Sequence, residues 1–395
     1  GKGAYVWDAK GNKFLDYGMA LRANILGYAN DEVDEAAFQA AKLGNNLTRA
    51  SMTELKAAEK IIELIQGADM VKFGKNGSTV TSAAVKLARA YTGKRFIARC
   101  KDHPFFSYDD WFIGDTPMNK GIPSDVSELT LNFKYNDIDS LKTVFASFPN
   151  QIAGVILQPV ESVIPDEGYL QEAMDLCHQN GALFILDEMI TGFRWHLNGA
   201  QKYYNIIPDL STFGKGMANG YSVSALVGKR EIMNLGGINE LGKERVFLVS
   251  TTHGAEMNGL AAFLKTVEIM ERESVIEHIW QYGNSMIEGM NTIAKDLGIE
   301  DHFKMVGYPC SPNYLTFDEN KQASLAFRTL FAQEMIKNGV LIPWVALSWA
   351  HGERELEHTL KATKESLKVL AGALKYGVDN YLVGDVIKPV FRSHN

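Results

Sequence analysis

Ala182-Leu183-Phe184-Ile185-Leu186 runs directly into Asp187-Glu188, and one crossover later the chain reads Thr212-Phe213-Gly214-Lys215-Gly216. Five consecutive apolar residues are too few for a helix and suit a strand buried on both faces. Two more runs have the same character, Phe96-Ile97-Ala98-Arg99-Cys100 and Ile152-Ala153-Gly154-Val155-Ile156-Leu157. Between them the spacing turns helical. After Asn76-Gly77-Ser78, apolar residues recur at Val80, Ala83, Ala84, Leu87, Ala88 and Tyr91, and residues 170–179 read the same way. Strands apolar on both sides, alternating with helices, predict a mostly parallel sheet with helices on both faces.

Working outward, residues 5–7 and 13–16 predict a hairpin around Asp8-Ala9-Lys10-Gly11-Asn12. Residues 31–44 and 53–66 read as helices, and Met70-Val71-Lys72-Phe73 as a strand. Further strands are expected at 222–227 and at Val246-Phe247-Leu248-Val249, then a long helical stretch over 256–297. Past it the pattern changes. Strands at 313–317, 340–343 and 345–349 and helices at 323–337 and 353–375 predict a smaller α+β domain. The expected division is an N-terminal hairpin and helix segment (1–45), a large domain with its linking helix (46–297) and a small C-terminal domain (298–395).

Composition narrows the function. Of 395 residues 46% are hydrophobic and 22% charged, the balance of a globular protein. Forty basic against 47 acidic residues leave a net charge of −7, which argues against nucleic acid as a partner. Cys100, Cys177 and Cys310 are far apart, with no CxxC and no Cys/His cluster, so neither a disulfide framework nor a bound metal is expected. No apolar run approaches the ~18 residues of a membrane span. Gly1-Lys2-Gly3-Ala4-Tyr5 is not a signal peptide. A cytoplasmic protein is the expectation.

Ligands of open parallel sheets bind beyond the carboxyl ends of the strands. Four places there carry polar residues that a core would not want. Gly74-Lys75-Asn76-Gly77-Ser78-Thr79 joins a strand to a helix start, where free N–H groups and hydroxyls suit a phosphate. The plainer alternative is that Ser78 or Thr79 caps the helix. Asp187 would be desolvated and would need a cationic partner, such as a protonated heterocyclic nitrogen; otherwise it caps the next turn or binds a metal. Lys215, between two glycines, has room beside a flat ligand and is the residue type for Schiff-base chemistry, unless it is a surface lysine. Ser250-Thr251-Thr252-His253-Gly254 offers further hydroxyls, or a capped turn.

Taken together, these residues resemble the class III aminotransferases, fold type I enzymes that use pyridoxal 5'-phosphate (PLP), and within them the glutamate-1-semialdehyde aminomutase-like group. Leu186-Asp187-Glu188-Met189-Ile190-Thr191-Gly192-Phe193-Arg194 resembles the family's DE-x-x-T-G-F-R signature. Thr212–Gly216 resembles its lysine segment, and 3–17 its opening hairpin. The likeness is already inside the family's opening pattern at Gly1, so further residues are expected before it. It implies that Lys215 forms the Schiff base and shuttles the proton, and that Asp187 pairs with the pyridinium nitrogen. It implies that Gly77, Ser78 and Thr79 hold the cofactor phosphate, and that Thr252 reaches the phosphate of the neighbouring subunit in a homodimer with shared sites. Phe105 stands where the family stacks an aromatic ring, with His103 as a rival. Gln158 replaces the glutamate of the family's Glu-Pro, and Gln158 or Glu161 would lie near the ring hydroxyl or the substrate. Arg22 falls where the family lines its substrate pocket and would grip a carboxylate or phosphate; a surface arginine is the alternative.

The implied reaction moves an amino group from an amino acid, glutamate first, to an aldehyde or ketone. Trp344, Trp349, Tyr108 and Trp111 suggest an aromatic pocket for a sugar-like or phosphorylated acceptor; plain core is the alternative. The runner-up is glutamate-1-semialdehyde 2,1-aminomutase. Its acidic residue, in a Glu-Ala-Gly-Phe stretch, has no counterpart in Pro343-Trp344-Val345-Ala346-Leu347-Ser348-Trp349-Ala350-His351. A decarboxylase or epimerase on the same scaffold, or a catalytically silent PLP-fold domain, completes the alternatives.

Overall fold

The computed structural model describes residues 1–161, 163–238, 242–250 and 252–392. They form two compact units, one of residues 1–31 with 269–390 and one of residues 32–268 with 391 onward. These divisions fall at different points from those expected at 45 and 297.

The hairpin is present as β1 (Tyr5–Trp7) and β2 (Lys13–Asp16), antiparallel, with Tyr5 opposite Leu15. The Asp8 carboxylate closes its turn by accepting from the Lys10 and Asn12 N–H groups at 2.8 and 2.9 Å.

The larger unit is built on seven strands. They are β3 (Met70–Gly74), β4 (Phe96–Cys100), β5 (Thr130–Phe133), β6 (Ile152–Leu157), β7 (Leu183–Asp187), β8 (Leu210–Phe213) and β9 (Ser224–Gly228). Their spatial order is β3-β9-β8-β7-β6-β4-β5. β5, β4, β6, β7 and β8 are parallel, while β9 runs antiparallel to both its neighbours. The sheet is therefore mostly parallel. Strand alternation, with both faces covered, explains the long apolar stretches of its central strands. Ile97, Ile156 and Ile185 pack in one cluster with Val80, Ala84 and Leu87 of helix Gly77–Thr92. Their neighbours Ala98, Val155 and Phe184 point the other way, into a cluster with Leu141 and Phe145 of Ile138–Ser147 and Ala173 and Cys177 of Tyr169–Gln179.

β8 is the return strand that the crossover from Asp187 to Lys215 implies, although Ser211 and Thr212 break its apolar run. Both are buried, and each spends its hydroxyl on a neighbouring side chain: Ser211 on Gln201 and Thr212 on Asp187. Two expected strands do not form. Val246–Val249 lies outside the sheet, with Phe247 77% exposed, and makes no ladder. Residues 345–348 are buried and 349 half-buried, but they form no ladder: Ala346 N–H donates to Tyr17 O, Trp349 N–H to Ile25 O and Ser348 N–H to His351 Nδ1. The stretch 256–297 is two helices, Met257–Arg272 and Val275–Asp296, parted where Ser274 takes φ 52°.

The smaller unit adds an antiparallel pair, β10 (Phe303–Val306) with β11 (Asn313–Thr316), and β12 (Val340–Leu341), which pairs parallel with β2. Helices Val275–Asp296, Leu325–Lys337 and Glu353–Tyr376 complete it. At its centre the Tyr17 hydroxyl meets those of Tyr282 and Thr359, each at 2.6 Å, and the His351 ring stacks on Tyr17 at 4.6 Å. Among the described residues no helix is long and apolar enough to cross a membrane.

Gly283 lies inside Val275–Asp296, where a Cβ would sit 1.7 Å from the Pro309 carbonyl oxygen, so only backbone displacement makes room. Gly283→Ala is expected to destabilise the protein by about 2–4 kcal/mol despite alanine's better helix propensity. Urea unfolding checks it; an unchanged midpoint would show that the helix moves freely.

Candidate active site

The site begins with register. In the parallel pairing of β7 with β8, Asp187 stands opposite Thr212. The Thr212 hydroxyl and the Met189 N–H both donate to Asp187 Oδ1 at 3.0 Å. Lys215 follows three residues later, and its charge acts on the carboxylate. Burial nonetheless dominates and pushes Asp187 up to about 6, because two neutral donors and one ammonium replace bulk water only in part. Lys215 sits at φ 47°, in the left-handed region that a side chain occupies only under strain.

Glu188 looks like a second functional acid and is not placed as one. Alternation turns it to the opposite face of the sheet. Its carboxylate accepts from the Thr191 hydroxyl at 2.9 Å and from the Ala200 and Gln201 N–H groups, both at 2.7 Å. It is fully buried and its pKa rises to about 7. Its role is to hold the 188–201 loop.

The glycines mark close approach. A Cβ on Gly214 would meet the Met189 methyl at 2.2 Å, and one on Gly77 would meet it at 2.8 Å. Met189 thus brings the start of helix Gly77–Thr92 against the lysine segment. Neither Ser78 nor Thr79 is that helix's N-cap. Asn76 is, accepting from the Thr79 N–H at 3.0 Å. Ser78 is buried and its oxygen accepts from the Tyr108 N–H at 3.0 Å, which leaves its own proton to donate. Thr79 and Thr252 line one cavity of about 330 Å³ with Lys75, Lys86 and Tyr108 of the same chain. Thr251 lies outside the described residues.

Gln158 follows β6, one residue beyond the last pair of that strand with β7 (Leu157 opposite Leu186), so it emerges beside Asp187. Its Nε2 donates to the Phe105 carbonyl at 3.3 Å. Its Oε1 is buried and has no hydrogen-bond partner. Phe105 is 43% exposed and offers a ring face; His103 does not. His103 is 2% exposed, and its Nδ1 accepts from the Gln158 N–H at 3.0 Å. Burial lowers its pKa to about 4, which keeps it neutral. Glu161 lies half-exposed in the loop beyond Gln158.

Arg22 and Trp344 belong to the other unit. Met19, Ala20, Leu21 and Arg22 take φ 41, 49, 59 and 73°. Four successive left-handed non-glycine residues cost roughly 1–2 kcal/mol each. Asp16 offsets part of this by accepting from the Gly18 and Met19 N–H groups and from the Tyr28 hydroxyl. Tyr28 in turn accepts from the Ala20 N–H. Trp344 Nε1 donates to the Gly18 carbonyl, so the turn ending at Arg22 starts under the indole.

The family model for class-III aminotransferases matches residues 1–343. The chain belongs to the class-III aminotransferases. It is 34% identical over 380 residues to 3-aminobutyryl-CoA aminotransferase of Cloacimonas acidaminovorans, covering 93% of this chain and 87% of that protein. It is 31% identical to glutamate-1-semialdehyde 2,1-aminomutase of Sulfurihydrogenibium azorense, covering 94% and 91%. Among solved structures, the FumI protein of Sphingopyxis sp. MTA144, in its PLP internal aldimine form, superimposes with a TM-score of 0.86 at 27% identity, covering 95% of this chain and 88% of that chain. An omega-transaminase from Sphaerobacter thermophilus shares the fold, with a TM-score of 0.85 at 22% identity over 93% of this chain and 90% of that chain.

The enzyme is a PLP-dependent transaminase and its cofactor is pyridoxal phosphate. The residues present fit that group. A buried carboxylate with too few cationic partners, an orphaned amide oxygen at Gln158, an exposed ring at Phe105 and glycines that keep Cβ atoms out of the approach each match one part of it. Sequence reading overlooked Thr212, which orients Asp187, and Met189, which gathers the glycines. Thr212 was within the quoted lysine segment, but only the strand register reveals its task.

Asp187→Asn keeps both acceptor bonds and removes the charge. Because burial raises the Asp187 pKa, the charged form destabilises the fold. That penalty develops as pH rises from about 4 through about 6 and is constant above. Without cofactor, Asp187→Asn is expected to be more stable than the parent above pH 6 by about 3 kcal/mol at most, with no difference near pH 4. Thermal melts of the apoprotein across that range check the sign. Cofactor affinity is expected to fall in the same variant.

Proposed function

We propose that the enzyme transfers an amino group from an amino acid donor, L-glutamate first, to an aldehyde or ketone acceptor that is sugar-like or phosphorylated. The observation that carries the reading is the buried Asp187 carboxylate, register-matched to Thr212 and felt by Lys215 three residues on. Bound pyridoxal phosphate supplies an electron sink for the negative charge that develops on the substrate carbon. Asp187 would hold a proton on the ring nitrogen, and Thr212 and the Met189 N–H keep the carboxylate turned toward it. Lys215 would hold the cofactor through Nζ and, at that nitrogen, would take up and return the proton of the substrate carbon. Its strained backbone fixes the reach of the side chain. The N–H groups at Gly77 and Ser78, with the Ser78 hydroxyl, would take the phosphate, and Thr79, whose N–H and hydroxyl both donate to Asn76, would line it. Phe105 would cover one ring face, and Gln158 would meet the ring hydroxyl through its amide. Glu161 is assigned to the substrate side, and Arg22 to an acidic group of the substrate.

A second reading, glutamate-1-semialdehyde aminomutase, is favoured by the 31% identity over nearly the whole chain. The lack of the acidic residue in 343–351 favours the transaminase. Donor dependence separates them, because an aminomutase needs no external amino acid. With L-glutamate, the cofactor's visible band is expected to bleach and recover on addition of a carbonyl acceptor. Lys215→Ala is expected to lose at least ~10³-fold in turnover. A band indifferent to glutamate, with activity on an amino aldehyde alone, would establish the aminomutase.

We further infer a homodimer with shared sites, in the reducing cytosol that the sparse cysteines favour. Support comes from the family resemblance and from an exposed apolar stretch, Phe38, Leu43, Leu47, Met52 and Leu55. Thr252 decides the sharing. If it serves the partner's cofactor, inactive Lys215→Ala mixed with weakened Thr252→Ala should recover roughly a quarter of wild-type activity by random pairing. No recovery would confine Thr252 to the cavity it lines with Thr79 in its own chain.

A further inference from the structure

The segment after the last long helix packs in an unexpected way. Residues 381–387 are tied to helix Leu325–Lys337. Gln333 Nε2 donates to the Tyr381 carbonyl at 2.9 Å, and its Oε1 accepts from the Val383 N–H at 2.8 Å. The Thr329 hydroxyl accepts from the Ile387 N–H at 3.0 Å. Four residues later Phe391 joins the core cluster of the larger unit. Its ring meets the Phe112 ring edge-on, with centroids 6.0 Å apart and planes at 82°.

Phe112 is a hub. Its ring also contacts Phe105 at 5.6 Å and 75° and Phe106 at 5.8 Å and 79°, and the Arg99 guanidinium lies 5.0 Å from it. Phe105, alone of the three phenylalanines at 105, 106 and 112, is substantially exposed. Its backbone is held through Gln158, but its ring is held on one side by Phe112. Edge-to-face pairs have a preferred angle, so the orientation of one ring in a chain of such pairs constrains the next. A ring added behind Phe112 removes the space into which Phe112, and then Phe105, would otherwise turn.

We propose that Phe391 is a positioning residue for the cofactor: through Phe112 it sets the plane of the Phe105 ring. The proposal rests on the reading of Phe105 as the ring that stacks on pyridoxal phosphate. It gives Phe391 a task in the site, although Asp187, Lys215 and Phe105 all lie before residue 260.

The test uses purified full-length Phe391→Ala, Phe391→Tyr and Phe105→Ala, each titrated with pyridoxal phosphate. The visible circular dichroism of the bound cofactor reports ring tilt. Phe391→Ala is expected to weaken cofactor binding about tenfold and to diminish the visible dichroic band. Far-ultraviolet dichroism should stay unchanged, and Phe391→Tyr should restore both values. Phe105→Ala should reproduce the Phe391→Ala result. If Phe105→Ala alters the band and Phe391→Ala does not, the positioning role is wrong and the stacking role stands. If neither variant alters it, the stacking reading itself fails. An effect of Phe391→Ala without one of Phe105→Ala also overturns the proposal, because the influence would not pass through that ring. Loss of far-ultraviolet signal in Phe391→Ala, unrescued by tyrosine, would reduce Phe391 to a core residue.

Discussion

The carboxylate of Asp187 is out of water at the end of a strand buried on both faces, and the rest of the site answers to that constraint. A desolvated acid needs donors, and the sheet supplies them by register rather than by sequence proximity. Thr212 reaches Asp187 only because β8 lies parallel beside β7 with those two residues opposed. The same pairing sets Lys215 within electrostatic reach of the acid. Even so, burial outweighs these partners, and a penalty on the charged form remains. A cationic ring nitrogen is the group that would remove it. On the proposed reading, the cost of burying Asp187 is the counterpart of selectivity for a cofactor that carries that charge.

The neighbouring acid shows how strand alternation sorts two identical chemistries into different tasks. Asp187 faces the site with an incomplete set of donors. Glu188 faces away and is saturated by one hydroxyl and two amides. The same contrast separates His103 from Phe105. The imidazole is buried and engaged by the Gln158 backbone, whereas the phenyl ring is open. Strain follows a similar pattern. Lys215 in the larger unit and the turn from Met19 to Arg22 in the smaller one adopt left-handed backbone, and the turn is held by Asp16 and Tyr28. Such conformations persist only where surrounding contacts over-determine them.

Much of the architecture was legible because its physics is local. β6 and most of β7 are continuous apolar runs, β4 is apolar but for Arg99, the hairpin has its Asp-Ala-Lys-Gly-Asn turn, and the lysine is flanked by glycines. The failures also have local causes. Val246–Val249 is as apolar as a strand but finds no edge to pair with. Residues 345–348 are buried as the pattern implies, yet the segment's backbone N–H groups go to Tyr17, Ile25 and His351 rather than to a ladder. β8 was implied by the crossover rather than by an apolar run, because its central residues are polar, and they serve Gln201 and Asp187. Asn76 caps its helix although serine and threonine stood nearer the expected start.

The sequence by itself determined the inventory: a sheet buried on both faces, an acid at a strand end, a lysine between glycines, hydroxyls at a helix start, and the family that such a set marks. These follow from composition and short-range spacing, which one chain carries in full. Tertiary structure decided which of two adjacent acids faces the site and which threonine orients it. It also decided that Met189 gathers Gly77 and Gly214, and that a phenylalanine at 391 stands behind the ring at 105. Those outcomes depend on strand order, register and the approach of residues far apart in the chain. No local pattern encodes them, because the free energy that selects them comes from packing and desolvation that exist only once the chain has closed on itself.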